Sequence, residues 1–283
     1  MTSSDAPRLR GFLADLPRLA VLSVLALIIL APYIWMLAVS LKPQSEVFTG
    51  SLSLIPKQFA AYQNFGKVFA QVPVATYLWN GLVVCLGILA FQIAFSVPAA
   101  YALAKLDFRG RDTLFAFVML GLLVPVQVPA LPLYVGFAHA GLLNSYTALI
   151  APFTISVFAI FLFRQFFKAI PDELIQAARL DGMSETSIVW RVILPNAWPA
   201  ATAFAIFSVV AHWNDLYWPL IAVNKGDYYT PAMGVLAFRS QEAGEDYGAL
   251  MAAALLVTAP LVLAFLIAQR RFIEGITMTG LKG

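Results

Sequence analysis

The chain has 283 residues, of which 61% are hydrophobic and only 12% charged, with a net charge of +3. Soluble domains carry about 25% charged residues, so this composition excludes an ordinary soluble enzyme and points to a membrane protein. The basic residues are scattered and border apolar runs, which argues against nucleic acid as a partner, and the single cysteine, Cys85, rules out an intrachain disulfide.

A bilayer core about 30 Å thick takes about 20 helical residues to cross. Long windows without charge lie at 19–41, 68–104, 113–163 and 247–269, and 192–238 holds only Asp215, Lys225 and Asp227. The 51 residues of 113–163 would make a helix of roughly 77 Å, far too long for one span. A break at Gly141-Leu142-Leu143-Asn144-Ser145 divides it. Six helices are therefore expected, near 19–41, 77–104, 113–138, 146–167, 200–222 and 249–269.

The first is preceded by Arg8, Arg10 and Arg18, like the start of a signal peptide, and Ala38-Val39-Ser40 is a weak small-residue cleavage site. Its 23 apolar residues exceed the usual 7–15-residue core, which favours an uncleaved helix. With the N-terminus inside, 13 Lys and Arg fall on inner segments and 5 on outer ones (Lys42, Lys57, Lys67, Lys225 and Arg239), so both termini are expected to be cytoplasmic.

In the third span Pro125, Pro129 and Pro132 each remove a backbone hydrogen bond, so a kink or break is expected, either as a gate element or as a static packing feature.

The inner segment from Lys168 to Trp198 is too long and too patterned for a linker. Pro171 suits the first position of a short helix, Asp172 and Glu173 oppose its dipole, and Leu174, Ala177 and Ala178 share a face. Gly182 fits a left-handed cap, and Ser184 opens a second helix expected to stop at Pro195. Periodicity alone leaves two readings: a hairpin resting on lipid headgroups, or a docking knob for a partner.

In the fifth span Asp215 is the one acid, a candidate functional group or a helix cap. Trp213 and Trp218 suit stacking on a sugar ring or the aromatic belt, and Asn214 a ligand or a neighbouring helix. No Walker A pattern occurs, nor any zinc-protease or serine-hydrolase motif, and His139 and His212 are far apart. An ion-coupled secondary transporter would show internal repeats and paired intramembrane charges; no repeat and one candidate acid are seen.

Pro171-Asp172-Glu173-Leu174, Gln176-Ala177-Ala178-Arg179-Leu180-Asp181-Gly182, Ile193-Leu194-Pro195 and Pro199 together resemble the EAA loop of ABC importer permeases. Gln176 stands where that family usually has its name-giving glutamate. The resemblance extends along nearly the whole chain and is to the carbohydrate, maltose-type branch. It is carried by Pro32-Tyr33, Ser40-Leu41-Lys42-Pro43, Asn80 (with Gly81 for a more usual serine), Ala99 to Ala104, and Phe108-Arg109-Gly110-Arg111. Pro125, Gln127, Pro132-Leu133-Tyr134, Gly141-Leu142, Trp213-Asn214-Asp215 and Trp218-Pro219-Leu220 continue it. Gln269-Arg270-Arg271-Phe272 with Gly275, Gly280 and Lys282-Gly283 close it.

The resemblance implies an all-α integral membrane protein of the type I ABC importer permease fold, with six transmembrane helices in the bacterial inner membrane. It implies a cytoplasmic segment 1–18, a first helix and external loop over 19–75, a five-helix core over 76–269 containing the coupling loop 168–198, and a cytoplasmic tail 270–283. The implied activity is ATP-driven uptake of a carbohydrate or glycoside, or alternatively of a glycerol phosphate or polyol. The implied partners are a second homologous permease, two ATPase subunits that bind the ATP and Mg, an external solute-binding protein that largely sets selectivity, and membrane lipid. Glu173, Leu174, Gln176, Ala177, Ala178, Asp181 and Gly182 would form the coupling site, and Asn80, Gln127, Trp213, Asn214, Asp215 and Trp218 a substrate pathway. No catalytic residue, metal or cofactor is expected on this chain.

Overall fold

The computed structural model describes residues 6–48, 53–236 and 246–280. Arg239 and the Lys282-Gly283 ending lie outside the described residues. The described residues are helical, with no strand among them. They divide into two compact units, the first made of Met1–Gln71 with Phe238–Leu256 and the second of Val72–Ala237 with Val257–Gly283.

In the first unit, α1 (Ala6–Ser40) is apolar on every side from residue 19 onward, and residues 17–34 are all exposed. A helix that is hydrophobic all round needs an apolar solvent, which is the lipid. Its end is fastened by polar contacts. Asn64, on α2 (Ala61–Gln71), donates through Nδ2 to the carbonyls of Ser40 and Lys42, both at 2.8 Å. The Lys42 ammonium is buried, donates to the Ser53 carbonyl and lies 5.3 Å from the Trp35 ring. Lys67 pairs with Asp246 at 2.6 Å.

The second unit is organised on α3 (Val74–Lys105). Its buried positions (Tyr77, Asn80, Gly81, Val84, Cys85, Ile88, Gln92, Ser96, Val97, Ala100 and Tyr101) recur every three to four residues, the seam of a helix packed along its length. At Gly81 the seam is tight, because a Cβ there would lie 2.5 Å from Pro231 Cγ. That accounts for glycine where the resembling family more usually has serine.

The expected 113–138 span is two helices, α4 (Arg111–Gly121) and α5 (Ala130–His139). Pro129 is the N-cap of α5, so the prolines break this span. The division expected near 141–145 is also present: Gly141 and Asn144 take φ of +67° and +57° before α6 (Tyr146–Ile150) begins. α6 runs into a 3-10 turn and then, at 43°, into α7 (Val157–Lys168).

The hairpin comprises α8 (Asp172–Leu180) and α9 (Glu185–Asn196). α9 bends by 84° into α10 (Trp198–Trp213), followed by α11 (Tyr217–Ala222), α12 (Pro231–Leu236) and the long α13 (Tyr247–Gly280).

Among the described residues, three helices are long and apolar enough to cross a membrane, Pro17–Ser40, Val74–Lys105 and Tyr247–Ile267, or up to five if each bent pair is one span. The chain is a multi-pass membrane protein.

Candidate functional site

The hairpin is anchored to the second unit. Ile175 and Ala178 of α8, with Ile188, Val189 and Ile193 of α9, enter a buried cluster containing Ala100, Tyr101, Leu103, Phe163 and Phe167. Burial of that apolar surface holds the hairpin against the bundle. Leu174 and Ala178 therefore do not share an outer face: Ala178 is 6% exposed and Leu174 43%. The outward surface carries Glu173, Leu174, Gln176, Ala177, Leu180, Asp181 and Gly182. Leu180 is 89% exposed, a bare leucine among polar neighbours.

Polar contacts fix the ends of α8. Pro171 is its N-cap, with ψ of 136°, one residue earlier than the first-position placement expected. Lys105 donates to the Ile170 carbonyl at 2.6 Å and to Asp172 Oδ1 at 2.5 Å, tying the start of α8 to the end of α3. At the other end the Gly182 N–H bonds the Arg179 carbonyl and the Met183 N–H the Ala178 carbonyl, both at 3.0 Å, with Gly182 at φ +78°. This is the Schellman cap, and it requires the left-handed conformation that glycine adopts without strain.

Ser184 Oγ accepts from the Ser187 N–H at the start of α9. α9 does not stop at Pro195. A wider π turn over Val189–Ile193 absorbs the proline, and the helix continues to Asn196.

Glu185 joins three elements. Its Oε1 accepts from Arg179 Nε and its Oε2 from the Tyr101 hydroxyl, both at 2.6 Å. These hydrogen bonds, first from Arg179 and then from Tyr101, hold the Glu185 carboxyl below the usual carboxylate range against the opposing effect of burial.

A second feature is a cavity of 570 Å³, lined in part by Gln92, Gln127, Phe153, His212, Asp215, Tyr217 and Trp218. Of the six residues expected along a pathway, Gln127, Asp215 and Trp218 meet here. Asp215 also caps the turn into α11, its Oδ1 accepting from the N–H groups of Tyr217 at 3.0 Å and Trp218 at 3.5 Å. Trp218 is 4% exposed, with its indole N–H on the Ala148 carbonyl at 2.8 Å.

The other three do not line this cavity. Asn80 donates to the carbonyls of Asp227 and Tyr229 and accepts from the Tyr146 hydroxyl. Trp213 is buried and bonds the Val257 carbonyl at 2.9 Å, and Asn214 bonds back to Val210 within its own helix.

Gln92, Ser208 and His212 were not visible as a group in the sequence. Ser208 Oγ donates to Gln92 Oε1 at 2.6 Å, and Gln92 Nε2 stands 3.4 Å from His212 Nε2. The signal was present as a neutral amide within a charge-free helix, which a search for charge passes over.

Residues 92–277 match the family described as binding-protein-dependent transport system inner membrane component. The chain is 33% identical over 261 residues to the arabinooligosaccharides transport system permease protein AraQ of Halalkalibacterium halodurans, covering 92% of this chain and 93% of that one. It is 32% identical over 267 residues to the lactose transport system permease protein LacG of Rhizobium radiobacter, covering 94% and 96%. It is also 33% identical over 258 residues to the sn-glycerol-3-phosphate transport system permease protein UgpE of Yersinia pestis, covering 88% and 91%. Among solved structures it resembles a chain of a bacterial ABC transporter involved in the import of the acidic polysaccharide alginate, with a TM-score of 0.79, 21% identity and coverage of 96% and 99%.

The fold is thus that of an ABC importer permease. The chain belongs to the binding-protein-dependent transport system inner membrane component family.

Proposed function

We propose that this chain is a pathway-forming subunit of an ATP-driven importer for a carbohydrate or glycoside in a bacterial inner membrane. In this reading it crosses the membrane six times with both termini cytoplasmic, the α4–α5 pair making the third crossing. It works with a second homologous permease, two ATPase subunits that bind ATP and Mg, and an external solute-binding protein. The glycerol-phosphate relative leaves a phosphate ester or polyol as the alternative cargo within the same machine.

The observation that carries the coupling role is the hairpin's two-sidedness. Ile175 and Ala178 are locked into the bundle while Leu174, Ala177 and Leu180 face outward. A lever needs both properties: a rigid attachment to the moving part and a free surface for the driver. Nucleotide-driven closure of the ATPase pair would push on that surface, and α8 would carry the displacement into α3 through Lys105 and into α9 through Glu185. The permease contributes a two-state element and no reaction site.

Cysteine cross-linking tests this directly. Leu180→Cys in a Cys85→Ser background is expected to form a cross-link with the ATPase subunit in native membranes, with a yield that changes on adding ATP. A cross-link to lipid-modifying reagents only, with none to the ATPase, favours the headgroup-resting hairpin instead.

A further inference from the structure

We infer that the side of the cavity formed by Gln92, His212 and Asp215 is a contact point for an uncharged, hydroxylated solute and discriminates against anionic ones, a reading that rests on the importer function proposed above.

The geometry starts from Ser208, whose buried hydroxyl donates to Gln92 Oε1 at 2.6 Å. That bond orients the amide so that its NH₂ faces His212 Nε2 at 3.4 Å. An amide NH₂ only donates, so Nε2 accepts and the imidazole proton sits on Nδ1. The ring is held against Phe153, with centroids 4.8 Å apart. Among the described residues no hydrogen bond is made to Nδ1, and the only side-chain polar atom that is both buried and unpartnered is Thr230 Oγ1. The Nδ1–H of His212 therefore reaches open space, and the space that His212 lines is the cavity.

Asp215 supplies the complementary group. Its Oδ1 is engaged by two backbone N–H groups, leaving Oδ2 as an acceptor on the same cavity wall. A hydroxyl both accepts and donates, so it satisfies the donor on His212 and the acceptor on Asp215. The carboxylate of a uronate, or the phosphoryl group of a phosphate ester, offers Oδ2 acceptor oxygens in place of that hydroxyl and places like charges together. No Lys or Arg lines the cavity among the described residues, so nothing there offsets the repulsion.

The test uses the transporter purified with its partner subunits in lipid nanodiscs, with empty discs as the control. Equilibrium dialysis measures binding of 4-nitrophenyl β-glucoside and 4-nitrophenyl β-glucuronide, which differ in one hydroxymethyl group against one carboxylate. The glucoside is expected to bind, with the glucuronide at least about tenfold weaker. Asp215→Asn keeps an oxygen for the α11 cap and is expected to bring the two within about threefold. His212→Phe keeps the ring against Phe153 and is expected to weaken the glucoside by about tenfold; His212→Gln, which restores a donor, should recover part of it. Equal binding of the two probes, binding of neither above empty discs, or an unchanged ratio in Asp215→Asn overturns the proposal. Failure of the importer reading shows separately, as absence of ATP-driven uptake by the unaltered transporter.

Discussion

Arg179 and Glu185 pair at 2.6 Å across the Gly182 turn, and the second Glu185 oxygen takes the Tyr101 hydroxyl from α3. One carboxylate thus joins both arms of the hairpin to α3. Gln176 is exposed and makes no part of this link, so the glutamine that replaces the resembling family's usual glutamate leaves the anchoring intact.

Glu185→Gln should loosen the hairpin while leaving the fold in place. Both groups are close to half exposed, so the loss is about 0.5 kcal/mol in stability. Transport per ATP hydrolysed is the sharper readout, and it is expected to fall in reconstituted vesicles while ATPase activity persists. An unchanged ratio refutes a role for Glu185 in transmission.

The pH dependence of this link has a definite sign. The folded Glu185 pKa is depressed, so its contribution is present above the unfolded value of about 4.3 and is lost as the pH falls through the lower folded value. Proteolysis within 171–196 should therefore be unchanged between pH 7 and 5.5 and rise only at more acidic pH. Cleavage that rises between pH 7 and 5.5 contradicts it.

Gly182 separates backbone from surface effects. A Cβ there meets nothing within 4 Å in this chain, so the cost of Gly182→Ala is the left-handed backbone, about 1 kcal/mol. Asn and Asp tolerate that conformation better, so Gly182→Asn should retain more uptake than Gly182→Asp, whose charge would meet the docking partner. Both should insert normally in the membrane. Uptake at the unaltered level by Gly182→Asp removes the docking surface from this turn.

Gly81→Ser restores the more usual family residue but brings Cβ to 2.5 Å from Pro231. It should lower stability by about 1–3 kcal/mol in a thermal unfolding assay, and Pro231→Ala should rescue it. Absence of rescue places the cost elsewhere.

Asn80→Ala removes the acceptor of Tyr146 and the donors to two carbonyls. A loss of about 1–3 kcal/mol in stability is expected, with the KM for uptake unchanged. A raised KM at normal stability returns Asn80 to the pathway.

Much of the hairpin was legible because its signals are local. Gly182, Ser184 and the acidic first turn of α8 act on the backbone within a few residues of themselves. The breaks at Pro129 and at Gly141 to Asn144 were legible for the same reason. Which side of α8 is buried was not, since Ile175 and Ala178 are chosen by Phe163, Phe167 and Tyr101 on other helices. The passage of α9 through Pro195 was hidden because a π turn leaves no compositional mark. The cavity wall was hidden most completely, because Gln92 and His212 lie 120 residues apart and carry no charge pattern that links them.

The most direct measurement of the central claim is solute uptake by proteoliposomes holding this chain with its second permease and ATPase pair. Uptake is predicted to require internal ATP and the external solute-binding protein together, and to be lost in Gly182→Asp although that complex still assembles. Uptake that proceeds without ATP and follows an imposed ion gradient would contradict the account.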